Sequence, residues 1–299
     1  MTNRIETKAQ RRERRITAWG LSFTWLLVIG GLQVIVAIIA IFGLIGANVA
    51  QDSTLFAQTL LPRYLGMMGW ILIVSDIATI LVFLFITRAR HTSFRETVGL
   101  RRFRPLLVIA MLMLGAGLSL ILNSGDQIIS ALLPASNSGG GVFKLAFDNL
   151  FSTIPGILAI VVLAPITEEI AFRGMVFGTL RERLALPAAL VIQAVIFGVF
   201  HGNISQGLLG FGLGCLLAWV YLRSGSIICS MLLHFAFNGT TALITLLVKG
   251  PQFALIWLLV MAIAIVLTVS GLLWHIALTR RPLQLASASG AHPPDMLVS

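Results

Sequence analysis

Eight apolar runs, near 22–46, 65–87, 105–123, 150–180, 185–204, 206–222, 226–247 and 253–277, occupy most of this 299-residue sequence. A bilayer-spanning helix needs roughly 20 mostly apolar residues, and most of the runs reach about that length. In lipid, every backbone N–H and C=O must find its partner within the chain, so such runs fold as helices. The expected fold is all-α: a polytopic membrane helical bundle of about eight transmembrane helices. Composition agrees. Charged residues make up 11% of the chain and the mean hydropathy is +0.97, whereas soluble domains carry roughly 25% charged residues. An ordinary soluble enzyme and a disordered chain are both excluded.

The net charge of +10 does not point to nucleic acid, because the basic residues sit in short clusters between the apolar runs. They read as topology signals. Seventeen Lys and Arg fall on one side, in the arm from Arg4 to Arg15, the segment from Arg88 to Arg104, and at Arg181, Arg183, Arg223, Arg280 and Arg281. The other side has Arg63, Lys144 and Lys249, and Arg173 lies within a span. This bias predicts both termini in the cytoplasm, and an even number of spans agrees with it. The expected organisation is a basic arm over 1–16, N-terminal transmembrane helices over 17–123 and an extracytoplasmic loop over 124–147. A core over 148–247, a last transmembrane helix over 248–281 and a disordered cytoplasmic tail over 282–299 follow. The first run reads as a retained anchor, because it is too long for a signal-peptide core.

Ionisable residues within spans cost roughly 2.5–3.5 kcal/mol on insertion scales, so they are functional candidates by default. They are Asp76, Glu168, Glu169, Arg173, His201 and His234, with Asn203 and Asn238 as uncharged companions. On a helix, Glu169 and Arg173 are i,i+4 neighbours and can pair. Glu168 and Arg173 are five apart, about 140° round the axis, so Glu168 is left to face something else. Pro165, just upstream, removes a backbone donor and loosens the helix where water must enter. Phe197 precedes His201 by four and can pack on its ring, and His234 and Asn238 share a helix face. Counted from the nearest basic residue at about 1.5 Å per residue, Glu168, His201 and His234 lie at similar intramembrane depth. Asp76 reads either as a second polar site or as a structural bond to a neighbouring helix. Gly210 and Gly214 read as a close-packing face, and His275 as interfacial.

This set suits hydrolysis. Glu168 with His201 can hold and deprotonate a water, and His234 with Asn238 can donate to a developing oxyanion. The same Glu168, His201 and His234 could instead bind zinc, although no HExxH motif is present.

Glu168-Glu169-x-x-x-Arg173, Phe197-x-x-x-His201 and His234-x-x-x-Asn238, in this order and with Pro165 before the glutamates, resemble the three motifs of the CAAX prenyl protease 2 type (CPBP, or Abi) family of intramembrane peptidases. The resemblance covers roughly residues 145–245. It implies a membrane endopeptidase without a serine or cysteine nucleophile, acting on a membrane-associated substrate, of which a prenylated CaaX-type protein is one candidate. Carried over, Glu168 and His201 activate water and His234 and Asn238 form the oxyanion hole. Glu169, Arg173 and Phe197 support them, and no cofactor is needed. The implied location is a bacterial plasma membrane, with the lipid bilayer and a membrane-associated peptide or protein as partners. The alternative is a non-catalytic bacteriocin-immunity or scaffold protein on the same fold. A proton-linked transporter would want inverted repeats or paired broken helices, and the sequence shows no sign of either.

Overall fold

Apolar periodicity, proline and capping residues divide the chain into the helices of a bundle. In the computed structural model, which describes residues 30–31, 61–132, 148–201, 204–247 and 254–279, the helices are α1 (Leu61–Ala89), α2 (Phe94–Val98), α3 (Leu107–Leu132), α4 (Ile154–Arg183), α5 (Leu186–Phe200), α6 (Ile204–Ser224), α7 (Ile227–Leu247) and α8 (Ala254–Leu278). No strand occurs among the described residues. α1, α3, α4, α6, α7 and α8 are long and apolar enough to cross a bilayer. α5 has 15 residues, about 22 Å of helix at 1.5 Å per residue, which is short of the ~30 Å hydrocarbon core. The expected span over 22–46 lies outside the described residues except for Gly30 and Gly31, as do the arm over 1–16 and the tail over 282–299. α3 runs on to Leu132, into the stretch read as loop from 124. Ser124 there returns its hydroxyl to the Leu120 carbonyl.

α4 is one rod with two π-helical stretches, Leu158–Leu163 and Ile170–Phe177. Thr153 caps its start by accepting from the Gly156 N–H at 3.2 Å, and Pro155 occupies the first turn, where no N–H is needed. Pro165 explains the first π stretch. Its ring and missing N–H do not fit a regular α-turn, and the wider π-turn relieves the clash. All eight residues of the second stretch are buried, which makes this segment the axis of the bundle.

α7 and α8 lie along α3, and α5 lies along α6. Small residues permit these approaches. A Cβ at Gly115 of α3 would sit 2.3 Å from the Leu233 carbonyl of α7, and one at Gly271 of α8 would sit 2.7 Å from the Leu114 nitrogen. Gly210 and Gly214 of α6 pack against Gly198, His201, Ala194 and Phe197 of α5, so this small-residue face serves packing inside the chain. Outward, α1 and α8 present Trp70, Leu81, Phe85, Val266 and Leu273 at more than half exposure, as a lipid-facing surface requires. His275, read as interfacial, packs within the protein near the basic end of the bundle. It is fully buried, with its ring 5.1 Å from Trp219, because the end of α8 is drawn in by the bonds from Arg223 of α6 to Thr279.

One turn near the basic end is fixed by backbone conformation. Gly99 closes α2 with φ +75°, and a Cβ there would lie 2.4 Å from the Tyr221 hydroxyl oxygen. Gly99→Ala therefore carries both the left-handed strain, about 1–3 kcal/mol, and a clash with a buried ring. A lowered thermal midpoint of the purified chain is the expected result; an unchanged one would mean that Tyr221 gives way freely.

Candidate active site

The residues singled out by their cost in the membrane meet where α4, α5 and α7 converge. Glu169 and Arg173 are both fully buried on α4 and form an ion pair at 2.9 Å. The same Glu169 Oε1 takes a hydrogen bond from His234 Nδ1 at 3.1 Å, and Oε2 accepts from the Ser230 hydroxyl. Arg173 also donates to the Gly214 carbonyl at 3.3 Å, and its guanidinium carbon lies 4.5 Å from the centre of the Phe197 ring. Two charges of opposite sign are thus removed from solvent together, with further hydrogen bonds to Glu169 from His234 and Ser230 and one from Arg173 to Gly214, while Arg173 Nε has no hydrogen-bond partner among the described residues. Pairing with added hydrogen bonds is the condition under which a buried pair is tolerated.

Glu168 is placed differently. Its side chain keeps 21% exposure, and its Oε2 faces His234 Nε2 at 3.8 Å. This is beyond direct hydrogen-bond range and is a distance that a water can bridge. His234 is therefore suspended between the two glutamates, Nδ1 on Glu169 and Nε2 toward Glu168. His201 ends α5 and bonds the Phe197 carbonyl through Nδ1 at 2.8 Å. A proton on Nδ1 for that bond leaves Nε2 as the lone-pair nitrogen. The rings follow in series, His201 to Phe197 at 4.9 Å and Phe197 to His234 at 6.0 Å. Asn238 donates to the Ile160 carbonyl at 2.9 Å. In a π-turn that carbonyl would accept from the residue five positions on, which is Pro165 and has no N–H. The amide of Asn238 supplies the missing donor, so the third motif covers the backbone defect left by the proline of the first.

The structure thus brings together Glu169, Arg173 and His234, sets Glu168 beside His234, and stacks Phe197 on His201 and Arg173. The polar contact of His201 is with the Phe197 carbonyl through Nδ1, which leaves Nε2 for the water that it was expected to share with Glu168. His234 and Asn238 share a face of α7 but engage different partners. Asn203 lies outside the described residues. For zinc, no group of three His, Cys, Asp or Glu side chains among the described residues is gathered with ligand geometry.

Three contributors were not singled out. Ser230 and Gln193 precede His234 and Phe197 by four residues, so each shares a helix face with its motif. Gln193, fully buried, donates to the same Gly214 carbonyl as Arg173, at 3.0 Å. A polar residue one turn before each motif was the available signal. Thr167 is buried beside Glu168, and Asp76 of α1, 4% exposed, lies against Thr167 and within charge–charge range of Glu168. Asp76 belongs to this polar cluster.

Residues 150–240 match the family described as "Type II CAAX prenyl endopeptidase Rce1-like". Among curated proteins, the Bacillus subtilis (strain 168) protein named "Putative membrane peptidase YdiL" is 35% identical over 77 residues. That match covers 26% of this chain and 32% of the relative, so the chain spans about a third of the length of the relative it matches. No solved structure matches. Both matches support the motif resemblance, and the six long apolar helices make the chain an integral membrane protein.

Proposed function

We propose, on the premise that residues 150–240 make this chain a relative of the CPBP family of intramembrane peptidases, that it hydrolyses a peptide bond of a membrane-associated protein or peptide. A prenylated CaaX-type C-terminus is the substrate class to which the family description points. The protein would work in a bacterial plasma membrane with both termini in the cytoplasm. The observation that carries this reading is the unequal placement of the two glutamates. Glu169 is saturated by Arg173, His234 and Ser230, while Glu168 keeps solvent access and an imidazole at 3.8 Å.

In the proposed reaction, Glu168 removes a proton from a water whose oxygen attacks the scissile carbonyl carbon. His201, with Nδ1–H committed to Phe197, offers Nε2 as a second acceptor for that water. The carbonyl oxygen becomes an oxyanion. His234, anchored through Nδ1 to Glu169, and the amide of Asn238 stabilise it. Collapse breaks the C–N bond, and the proton taken up by Glu168 passes to the leaving nitrogen. Glu169 and Arg173 hold His234 and Phe197 in place without touching the substrate.

The test is incubation of the purified chain with short peptides, prenylated and unprenylated, with and without a strong chelator, with products read by mass spectrometry. Cleavage that survives the chelator is expected. Cleavage lost to the chelator and restored by zinc would replace this mechanism with a metal-centred one. Absence of cleavage across the panel would favour the immunity or scaffold reading. Asn238→Ala is expected to lower kcat by about 10²–10³ with little change in KM. The thermal midpoint should also fall, because the Ile160 carbonyl loses its donor at a cost of about 1–3 kcal/mol. A fall in midpoint with kcat intact would confine Asn238 to the structural role.

A further inference from the structure

At the basic end of the bundle, away from the glutamates, the segment joining α2 to α3 forms one side of an open cleft of about 490 Å³. Arg95, Arg101 and Arg102 line it, and Leu100, Phe103, Val108 and Ile228 make its apolar surface. The segment is firmly built. Arg95 Nε donates to the Leu100 carbonyl at 3.0 Å, the Ser226 hydroxyl donates to the Arg101 carbonyl at 2.7 Å, and the Ile227 N–H donates to the Gly99 carbonyl at 3.0 Å. Among the described residues, the side chains of Arg101 and Arg102 make no ion pair, although Arg101 is half-buried. Glu96, the nearest acidic residue in sequence, does not line the cleft. Val108 and Ile228 stand in the first turns of α3 and α7, so the positive ends of two long helix dipoles add to the three guanidinium groups.

Charge alone would suit any anion, but the apolar surface narrows the choice. It continues from Leu106, just before α3, onto the outward face of α3 at Ile109 and Leu112; the three are 52%, 46% and 38% exposed. These lie at i, i+3 and i+6, along the lipid-facing side. A ligand that fills the cleft must therefore carry a negative headgroup at the arginines and hydrocarbon along α3. Basic pockets between spans, at headgroup level, take anionic lipids in this way. A peptide would find few free backbone partners here, because the Leu100 and Leu107 N–H groups are already bonded to Arg95 and Arg104.

We propose that this cleft is a binding site for an anionic phospholipid of the adjacent leaflet, with its phosphate on Arg101 and Arg102, assisted by Arg95, and its chains along Ile109 and Leu112. The test is native mass spectrometry of the full chain in a neutral detergent, titrated with phosphatidylglycerol or phosphatidylcholine. Three variants accompany the wild type. Arg101→Gln/Arg102→Gln removes the anchors, and Arg88→Gln/Arg183→Gln removes the same charge elsewhere. Val108→Trp fills the cleft without altering charge, and it decides the matter if the first variant fails to fold. The expected result is preferential retention of phosphatidylglycerol by wild type and by the Arg88/Arg183 variant. The affinity should weaken about thirtyfold in the Arg101/Arg102 variant, as about 1 kcal/mol for each of two basic contacts gives, and should also fall in Val108→Trp. Equal losses in the two charge variants, or no preference over phosphatidylcholine, would overturn the site. Displacement of the lipid by an equal concentration of inorganic phosphate would assign the cleft to a free anion instead.

Discussion

Glu168→Gln is expected to leave a folded, helical protein whose peptide cleavage has fallen by at least about a thousandfold. The substitution conserves shape and removes only the capacity to take a proton. Positioned general bases contribute about 10²–10⁴ in rate, and at this site no other carboxylate can take over. Glu169 is held by an arginine, a histidine and a serine. Asp76, on the neighbouring helix α1, lies against Thr167 and meets Glu168 only through charge. Stability should change little, because Glu168 keeps 21% exposure and its recorded polar neighbour is His234 at 3.8 Å. Paired measurement of kcat and thermal midpoint checks both halves. Cleavage within tenfold of wild type would remove Glu168 from the chemistry.

Arg173→Met has the largest expected effect on stability. The guanidinium is fully buried, and it is the cation paired with Glu169. Removing it strands a carboxylate away from solvent, at a cost of about 3–5 kcal/mol. The contacts with the Phe197 ring and the Gly214 carbonyl are lost as well. At roughly 2–4 °C per kcal/mol for a chain of this size, the midpoint should fall by about 10 °C or more. A buried pair replaced as a unit is often close to neutral, so Arg173→Met/Glu169→Gln should recover a substantial part of the loss. Thermal melts of the two single variants and the double variant form a cycle that reads the coupling. Simple additivity would mean that the pair contributes no more than its separate contacts.

How much of this was legible in the sequence depended on how local each relation was. Glu169 and Arg173 could be paired from spacing because both lie on one helical segment, where i,i+4 residues meet. The same argument released Glu168 from Arg173. Phe197 on His201 is another one-turn relation. Relations between helices were hidden. Similar depth suggested that Glu168, His201 and His234 meet, but only the packing of α7 against α4 shows His234 between the two glutamates. Asn238 was read for its amide chemistry, and its bond to Ile160 follows from a π-turn that no periodicity displays. Pro165 announced a weakness in the helix, but not the change of register that accommodates it. Asp76 could be marked as expensive from its position in an apolar run, and only the approach of α1 to α4 gave it company. The run expected over 185–204 is longer than α5, which stops at Phe200 ahead of His201-Gly202-Asn203.

The central claim is that the two adjacent glutamates have separate tasks, Glu168 in the chemistry and Glu169 in holding the site together. The most direct measurement is a side-by-side comparison of Glu168→Gln and Glu169→Gln for thermal midpoint and for cleavage of a peptide that the wild type cuts. The account predicts a wild-type midpoint with no cleavage for Glu168→Gln, and a midpoint lowered by about 10 °C for Glu169→Gln. Equal destabilisation by the two substitutions, or cleavage by the Glu168→Gln protein, would contradict it.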